Sequence, residues 1–191
     1  MAASTLQGVV DTIVASTAGL PDPATIASWD PALSGDIEIL ISADGTWSHA
    51  GTVIQREGLV RLFASLLRRE SDGHYYLVTP VEKWRIKVEG HPLRAIDCDR
   101  QGHNGHGYWF VLLNTGGRCR VGGRYQLHVD ECKGDSSYAA GVTPWVELPN
   151  GLSAQLTRAA WYRLIDAATF LDDRVFIVSG GERIELGSLA G

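Results

Sequence analysis

Apolar residues recur at helical spacing in three parts of the chain and alternate with polar ones in most of the rest. Over Ser4–Gly19, Leu6, Val9, Val10, Ile13 and Val14 fall on one stripe. Ser4 and Gln7 make a capping box at its start, and Gly19 followed by Pro21 and Pro23 stops it, so an N-terminal helix is expected. Residues 20–34, which include Pro31, read as a linker anchored by Trp29. From Gly35 the pattern predicts a strand over Ile37–Ile41, a turn at Asp44-Gly45 and a short strand at Trp47. A helix follows, with Leu59, Leu62, Phe63, Leu66 and Leu67 on one face and Arg61, Ser65 and Arg68 opposite. Tyr75–Thr79 and Trp84–Val88 then flank Pro80–Lys83 as a hairpin, in which Trp84, Ile86 and Val88 alternate with Arg85 and Lys87. Short strands separated by Gly-rich turns over Leu93–Leu148 indicate an antiparallel meander. The chain ends with a strand, an Asn150-Gly151 turn, a helix over Arg158–Leu171 and a terminal hairpin.

That last run repeats the first. Placing Arg56 on Arg158 also places Arg61 on Arg163, Leu62 on Leu164 and Phe63 on Ile165. After a two-residue deletion Leu77-Val78-Thr79 meets Ile177-Val178-Ser179, and Glu82-Lys83 meets Glu182-Arg183. The expected organisation is therefore α+β: an N-terminal helix and linker (1–34) and two related strand-turn-helix-hairpin units with antiparallel sheets. The first unit is 35–90 and the second 91–191, which carries the meander as an insert.

The repeat places charge oddly. Arg56 and Arg158 fall in the first turn of their helices, where the macrodipole and unpaired N–H groups disfavour a cation by about 0.3–1 kcal/mol. Each therefore calls for an anionic partner. One reading is an ion pair in each unit, Arg56 with Glu82 and Arg158 with Glu182. The other is that one or both guanidiniums face a cleft between the units and hold a phosphate or carboxylate of a ligand.

Composition narrows the function classes. The chain has 191 residues, 45% hydrophobic and 20% charged, the balance of a folded globular protein. Lys plus Arg number 17 against 22 Asp plus Glu, a net charge of −5, which gives no strong nucleic-acid signal. The longest apolar runs fall short of a membrane span, and the N-terminus lacks the marks of a secretory signal, so a cytoplasmic and, from composition, bacterial protein is expected. Cys98, Cys119 and Cys132 form no Cys-x-x-Cys pair, which points to reduced thiols. His91, His103 and His106 near these cysteines lack metal-site spacing, so neither metal nor cofactor is expected. No Gly-x-Ser-x-Gly elbow frames a nucleophile. Ser179-Gly180-Gly181 sits in a hairpin rather than before a helix, which reads as a tight turn, with close backbone approach to a ligand as the alternative. Of the six tryptophans, Trp47 in its turn is the one expected to face a cleft.

Gly35-Asp36-Ile37-Glu38-Ile39, Asp44-Gly45-Thr46-Trp47, Leu59–Ser65, Leu67-Arg68-Arg69 and Tyr75–Lys83 resemble the signature of a bacterial family, domain of unknown function 1285. The resemblance is strongest over 29–88 and continues in register through Ser179-Gly180-Gly181. It implies a duplicated α+β core, a second domain superficially similar to pleckstrin-homology folds, and a nucleotide-like ligand at the domain interface with a signalling role. By position it points to Trp47, Arg56, Arg61, Thr79, Glu82 and Lys83 in the first unit, and to Arg158, Ser179, Gly180 and Gly181 in the second. Ser48 and His49 stand where the family has aromatic residues, Val53 where it has Pro and Val178 where it has Trp, which weakens base stacking there.

The expectation from residues and resemblance together is a non-catalytic ligand-binding or regulatory protein. Arg56 and Arg158 would engage an anionic small molecule, Lys83 and Arg61 would add field, and Trp47 or Thr79 would touch the rest of it. The alternative is a protein–protein adaptor in which the arginines are structural, with an enzyme of unrecognised type third.

Overall fold

The computed structural model describes Gly8 and residues 20–103, 106–131 and 142–188. The helix expected over Ser4–Gly19 thus lies outside the described residues, Gly8 apart, as do Cys132 and the turn at 134–137. The chain resolves into two compact units. One comprises residues up to Pro92 together with Pro149–Leu152, the other Leu93–Leu148 and Ser153 onward.

The first unit opens with α1 (Pro23–Ser28), inside the stretch expected to be a linker. Asp22 caps it, accepting the N–H groups of Ala24 and Thr25 at 2.9 Å, and Pro23 occupies the first helical position. A proline at that point loses no hydrogen bond and is pre-set in φ, so the residue read as a breaker starts a helix. Ile26 on α1 is fully buried and Trp29 packs on the same core. Next come β1 (Leu33–Ile41), β2 (Trp47–His49), β3 (Thr52–Val53), α2 (Glu57–Ser65), β4 (Leu67–Arg69), β5 (Tyr75–Val78) and β6 (Lys83–Val88). They form one six-stranded sheet in the order β3-β2-β1-β6-β5-β4. β1 and β6 run parallel, which makes the sheet mixed rather than antiparallel. Ile37, Ile39 and Ile41 of β1 turn inward with Phe63 of α2 and Leu77 of β5, while Asp36 and Glu38 alternate to the exposed face.

In the second unit β7 (Leu93–His103), β8 (His106–Leu113), β9 (Arg118–Arg120), β10 (Leu127–Glu131), β11 (Val142–Leu148) and β12 (Leu152–Leu156) give a sheet in the order β10-β11-β12-β7-β8-β9. It too contains one parallel pair, β12 with β7. Asn150 and Gly151 both take positive φ between β11 and β12, the backbone a two-residue hairpin turn demands. The helix α3 (Arg158–Asp166) stops five residues short of the expected Leu171, because Thr169–Leu171 leave it as β13. β14 (Arg174–Ser179) and β15 (Glu182–Ser188) complete a three-stranded antiparallel sheet with β13. Strand, turn, helix and antiparallel meander therefore occur twice. In the first copy the meander joins the main sheet, and in the second it forms a sheet of its own. No helix among the described residues is long and apolar enough to cross a membrane.

Candidate functional site

The residues singled out in sequence divide into those held by internal contacts and those left open. Trp47, expected in a cleft, is 2% exposed and stacks on Phe63 with centroids 6.2 Å apart. A β2 residue directly after the turn points to the core face, and the bulk of the indole puts it there. Thr79 Oγ1 accepts the N–H groups of Val81 (3.3 Å) and Glu82 (2.9 Å) and donates to the Glu82 carbonyl (3.2 Å), closing the β5–β6 turn. Ser179, which the repeat aligns with Thr79, closes contacts of its own: its hydroxyl donates to Val121 C=O (2.7 Å) and accepts Trp109 N–H (3.1 Å). Thr79 and Ser179 are the buried polar residues of the described chain. Gly180 and Gly181 both have positive φ as the two-residue turn of the β14–β15 hairpin, and Gly180 N–H donates to Gly107 C=O at 2.8 Å.

Neither expected ion pair forms. Arg56 is the exposed N-cap residue of α2, with Glu57 in the first turn supplying the negative charge the dipole favours. Glu82 instead accepts the indole N–H of Trp84 at 3.3 Å. Arg158, the first residue of α3, is exposed and lies 6.0 Å over the Tyr162 ring, while Glu182 accepts Gly123 N–H at 3.3 Å. Arg61 pairs with Glu57 across one helical turn (3.1 Å). Lys83 is committed elsewhere, with Nζ 3.1 Å from both oxygens of Glu70 and 5.2 Å over the Tyr76 ring. Glu70 also accepts from Arg68 Nη2 at 2.5 Å, and Nη1 of that guanidinium donates to the Trp29 carbonyl (2.6 Å) and the Ile26 carbonyl (3.2 Å) that end α1. Burial pushes the Glu70 carboxyl up, but the hydrogen bonds from Arg68 and Lys83 outweigh it and hold the group below its ordinary value. Tyr76, donating to Asp72 at 2.6 Å, has its phenol pushed up to about 12 by that hydrogen bond to a carboxylate and by burial.

Sequence reasoning missed a cleft that no local motif announces. Pairing of β1 with β6 passes from Asp36↔Arg85 to Leu40↔Lys87, so β1 carries two residues more than β6 over this stretch. The pairing is irregular there, and a cavity of about 920 Å³ lies along the same stretch, lined by both strands, Ser48, Ala50, Gly51 and His74. Ala50 N–H bonds Glu38 C=O on the β2 side and Glu89 N–H bonds Ile41 C=O on the β6 side. Strand alternation therefore turns the peptide groups of Ile37 and Ile39 toward β6, where the slip is, while their side chains stay in the core. At one end Arg85 grips Asp36 with two hydrogen bonds, 2.5 and 2.9 Å, which holds the Asp36 carboxyl below its usual range. Leu40 and Lys87 mark the other end.

Among the described residues no three His, Cys, Asp or Glu side chains converge as a metal site would require. Cys98 is buried and donates to Ala160 C=O at 3.3 Å; burial, with Asp97 adding to it, pushes its thiol up to about 12.

The comparisons with known proteins fit this architecture. A family model, "Domain of unknown function (DUF1285), N-terminal domain", matches residues 24–91. A crystal structure of a DUF1285 family protein from Silicibacter pomeroyi DSS-3 is 31% identical over 95% of this chain and 96% of that one, with a TM-score of 0.80. The chain belongs to the DUF1285 family. A second family member, from Shewanella baltica OS155, is 29% identical over 68% of this chain and 91% of its own, with a TM-score of 0.49. No curated protein matches. The matched segment of this DUF1285 protein holds both β1 and β6, and so the whole of the slip between them.

Proposed function

We propose that this DUF1285 protein is a non-catalytic binding module whose first unit takes a small polar molecule in the cleft between β1 and β6. The observation that carries the reading is the two-residue slip. It disturbs the ladder in the middle of a sheet, and along it lies a cavity of about 920 Å³, a volume in the range of small-molecule sites. A ligand there lies beside the Ile37 and Ile39 segment, where the pairing of β1 with β6 is irregular. The hydroxyl at the cleft, Ser48 Oγ, donates to Leu40 C=O at 3.5 Å, a backbone contact rather than the hydrogen bond to a base that activates a nucleophile. An anion held by Arg56 and Arg158 has less support, since both are exposed and neither lines this cleft.

The test is a thermal-shift screen of the full chain against a metabolite panel, repeated on Leu40→Trp, which fills the cleft from a half-buried position. A compound that raises Tm in the native chain and not in Leu40→Trp supports the site. Hits that survive Leu40→Trp place binding elsewhere and overturn it.

A further inference from the structure

We propose that the ligand of the β1–β6 cleft is a small zwitterion of the amino-acid type, its ammonium meeting Glu38 and its carboxylate meeting Lys87; this rests on the reading of that cleft as the binding site. The argument is one of charge left over. Two carboxylates, Asp36 and Glu38, and two strong cations, Arg85 and Lys87, line the cavity. Asp36 and Arg85 hold each other in a bidentate pair, with Lys87 adding a weaker pull on Asp36, while Glu38 and Lys87 are both exposed and in no ion pair among the described residues, so a carboxylate and an ammonium at the cavity lack a direct counter-charge. A simple anion in the cleft meets Lys87 but is repelled by Glu38, and a simple cation meets the reverse. A molecule carrying both charges satisfies both.

Spacing agrees. Glu38 and Leu40 lie two residues apart on the same face of β1, about 7 Å, and Lys87 is paired with Leu40 one strand across, about 5 Å. Two long side chains at that separation reach a molecule a few ångströms across lying between them. Leu40 and Ala50 supply apolar surface for a short aliphatic body, and the peptide groups of Ile37 and Ile39 turned toward the slip offer a donor and an acceptor that zwitterions also use. His74 lies at the Asp36 end, where its electrostatic effect falls on Asp36.

Calorimetric titration of the full chain with the proteinogenic L-amino acids tests this. Each binder is matched by two analogues, the carboxylic acid lacking its amine and the amine lacking its carboxylate. At least one amino acid should bind saturably, and each single-charge analogue about tenfold more weakly, the loss of one charge-assisted hydrogen bond. Glu38→Gln should weaken the amino acid about tenfold and tighten the amine-free acid, from which it removes a repulsion, and Lys87→Gln should do the mirror image. Both residues are exposed, so unchanged urea unfolding verifies that each variant is folded. The proposal is overturned if no amino acid binds up to ~10 mM, or if amino acid and analogues bind alike. A singly charged metabolite that binds in the native chain and is lost in Leu40→Trp would refute the zwitterion while keeping the cleft as the site. A ligand indifferent to Leu40→Trp would refute the cleft itself.

Discussion

The Ser179 hydroxyl takes the place of a neighbouring strand beside Trp109. β9 ends at Arg120, and beyond it Ser179 Oγ accepts the Trp109 N–H at 3.1 Å and donates to Val121 C=O at 2.7 Å, while Val121 N–H donates to Trp109 C=O at 2.7 Å. The Ser-Gly-Gly turn thus docks the β14–β15 hairpin on the edge of β8. Its ligand-binding alternative competes with contacts already made.

Removing that hydroxyl strands two buried peptide groups. Ser179→Ala should cost about 1–3 kcal/mol in urea unfolding, the penalty for leaving a buried donor or acceptor unmatched. Ser179→Thr keeps the hydrogen bonds and should recover part of the loss. A change below about 0.5 kcal/mol in Ser179→Ala, the range of ordinary surface substitutions, would show that Ser179 does not hold the hairpin.

The two glycines of that turn differ. Gly180 and Gly181 both have positive φ (62° and 88°), which costs a residue with a Cβ about 1–2 kcal/mol. A Cβ at Gly180 also falls 2.3 Å from Tyr108 Cε1, whereas one at Gly181 meets nothing within 4 Å. Gly180→Ala should therefore destabilise more than Gly181→Ala. Adding Tyr108→Ala should return part of the difference, a coupling that a double-mutant cycle reads directly.

Where periodicity is local, the chain declares its elements. The stripe of Leu59, Leu62 and Phe63 and the alternation of Trp84, Ile86 and Val88 with Arg85 and Lys87 lie on α2 and β6 as the pattern demands. The repeat was legible for the same reason, since turn, helix and hairpin each carry their own local signal. Pro23 misled because its meaning depends on the residue before it: Asp22 as a cap converts a breaker into a first helical position. Trp47 misled because aromatic residues in turns fit a core as well as a cleft, and only packing against Phe63 decides between them. The parallel pairing of β1 with β6 leaves no mark in either segment. The slip between Asp36 and Leu40 is a property of the pair, so the cleft that lies along it was not readable from spacing. The partners of Arg56 and Arg158 were misjudged for a related reason. The α2 dipole is met by Glu57 next in sequence, and Glu82 and Glu182 turn to Trp84 and Gly123.

Glu70 should set an acid limb in the stability of the first unit. Its carboxyl, gripped by Arg68 and Lys83, lies below its usual value in the folded state, so the unfolded chain takes up a proton first as pH falls. The associated stability is fully present above the unfolded value of 4.5 and is lost as pH falls through the lower folded one. Glu70→Gln should cost about 1.5–3 kcal/mol at pH 7, the worth of hydrogen bonds to a charged group. It should also flatten the slope below pH 4.5. Parallel pH profiles of the two proteins would show that Glu70 titrates alike in both states, contrary to this assignment.

Trp47 offers a separate check on whether this first-unit tryptophan serves packing or recognition. It is 2% exposed, yet its indole N–H has no hydrogen-bond partner, an unusual state for a buried donor. Its value therefore lies in apolar contact with Phe63 and the isoleucines of β1, not in its polar edge. Trp47→Ala should cost about 3–5 kcal/mol by emptying the site. Trp47→Phe keeps a ring on Phe63 and removes the unmatched donor, so the desolvation penalty it relieves offsets much of the lost volume, leaving a cost below about 1.5 kcal/mol. If Trp47→Phe proves as damaging as Trp47→Ala, the N–H is engaged in solution, and the indole edge rather than its face is what the fold requires.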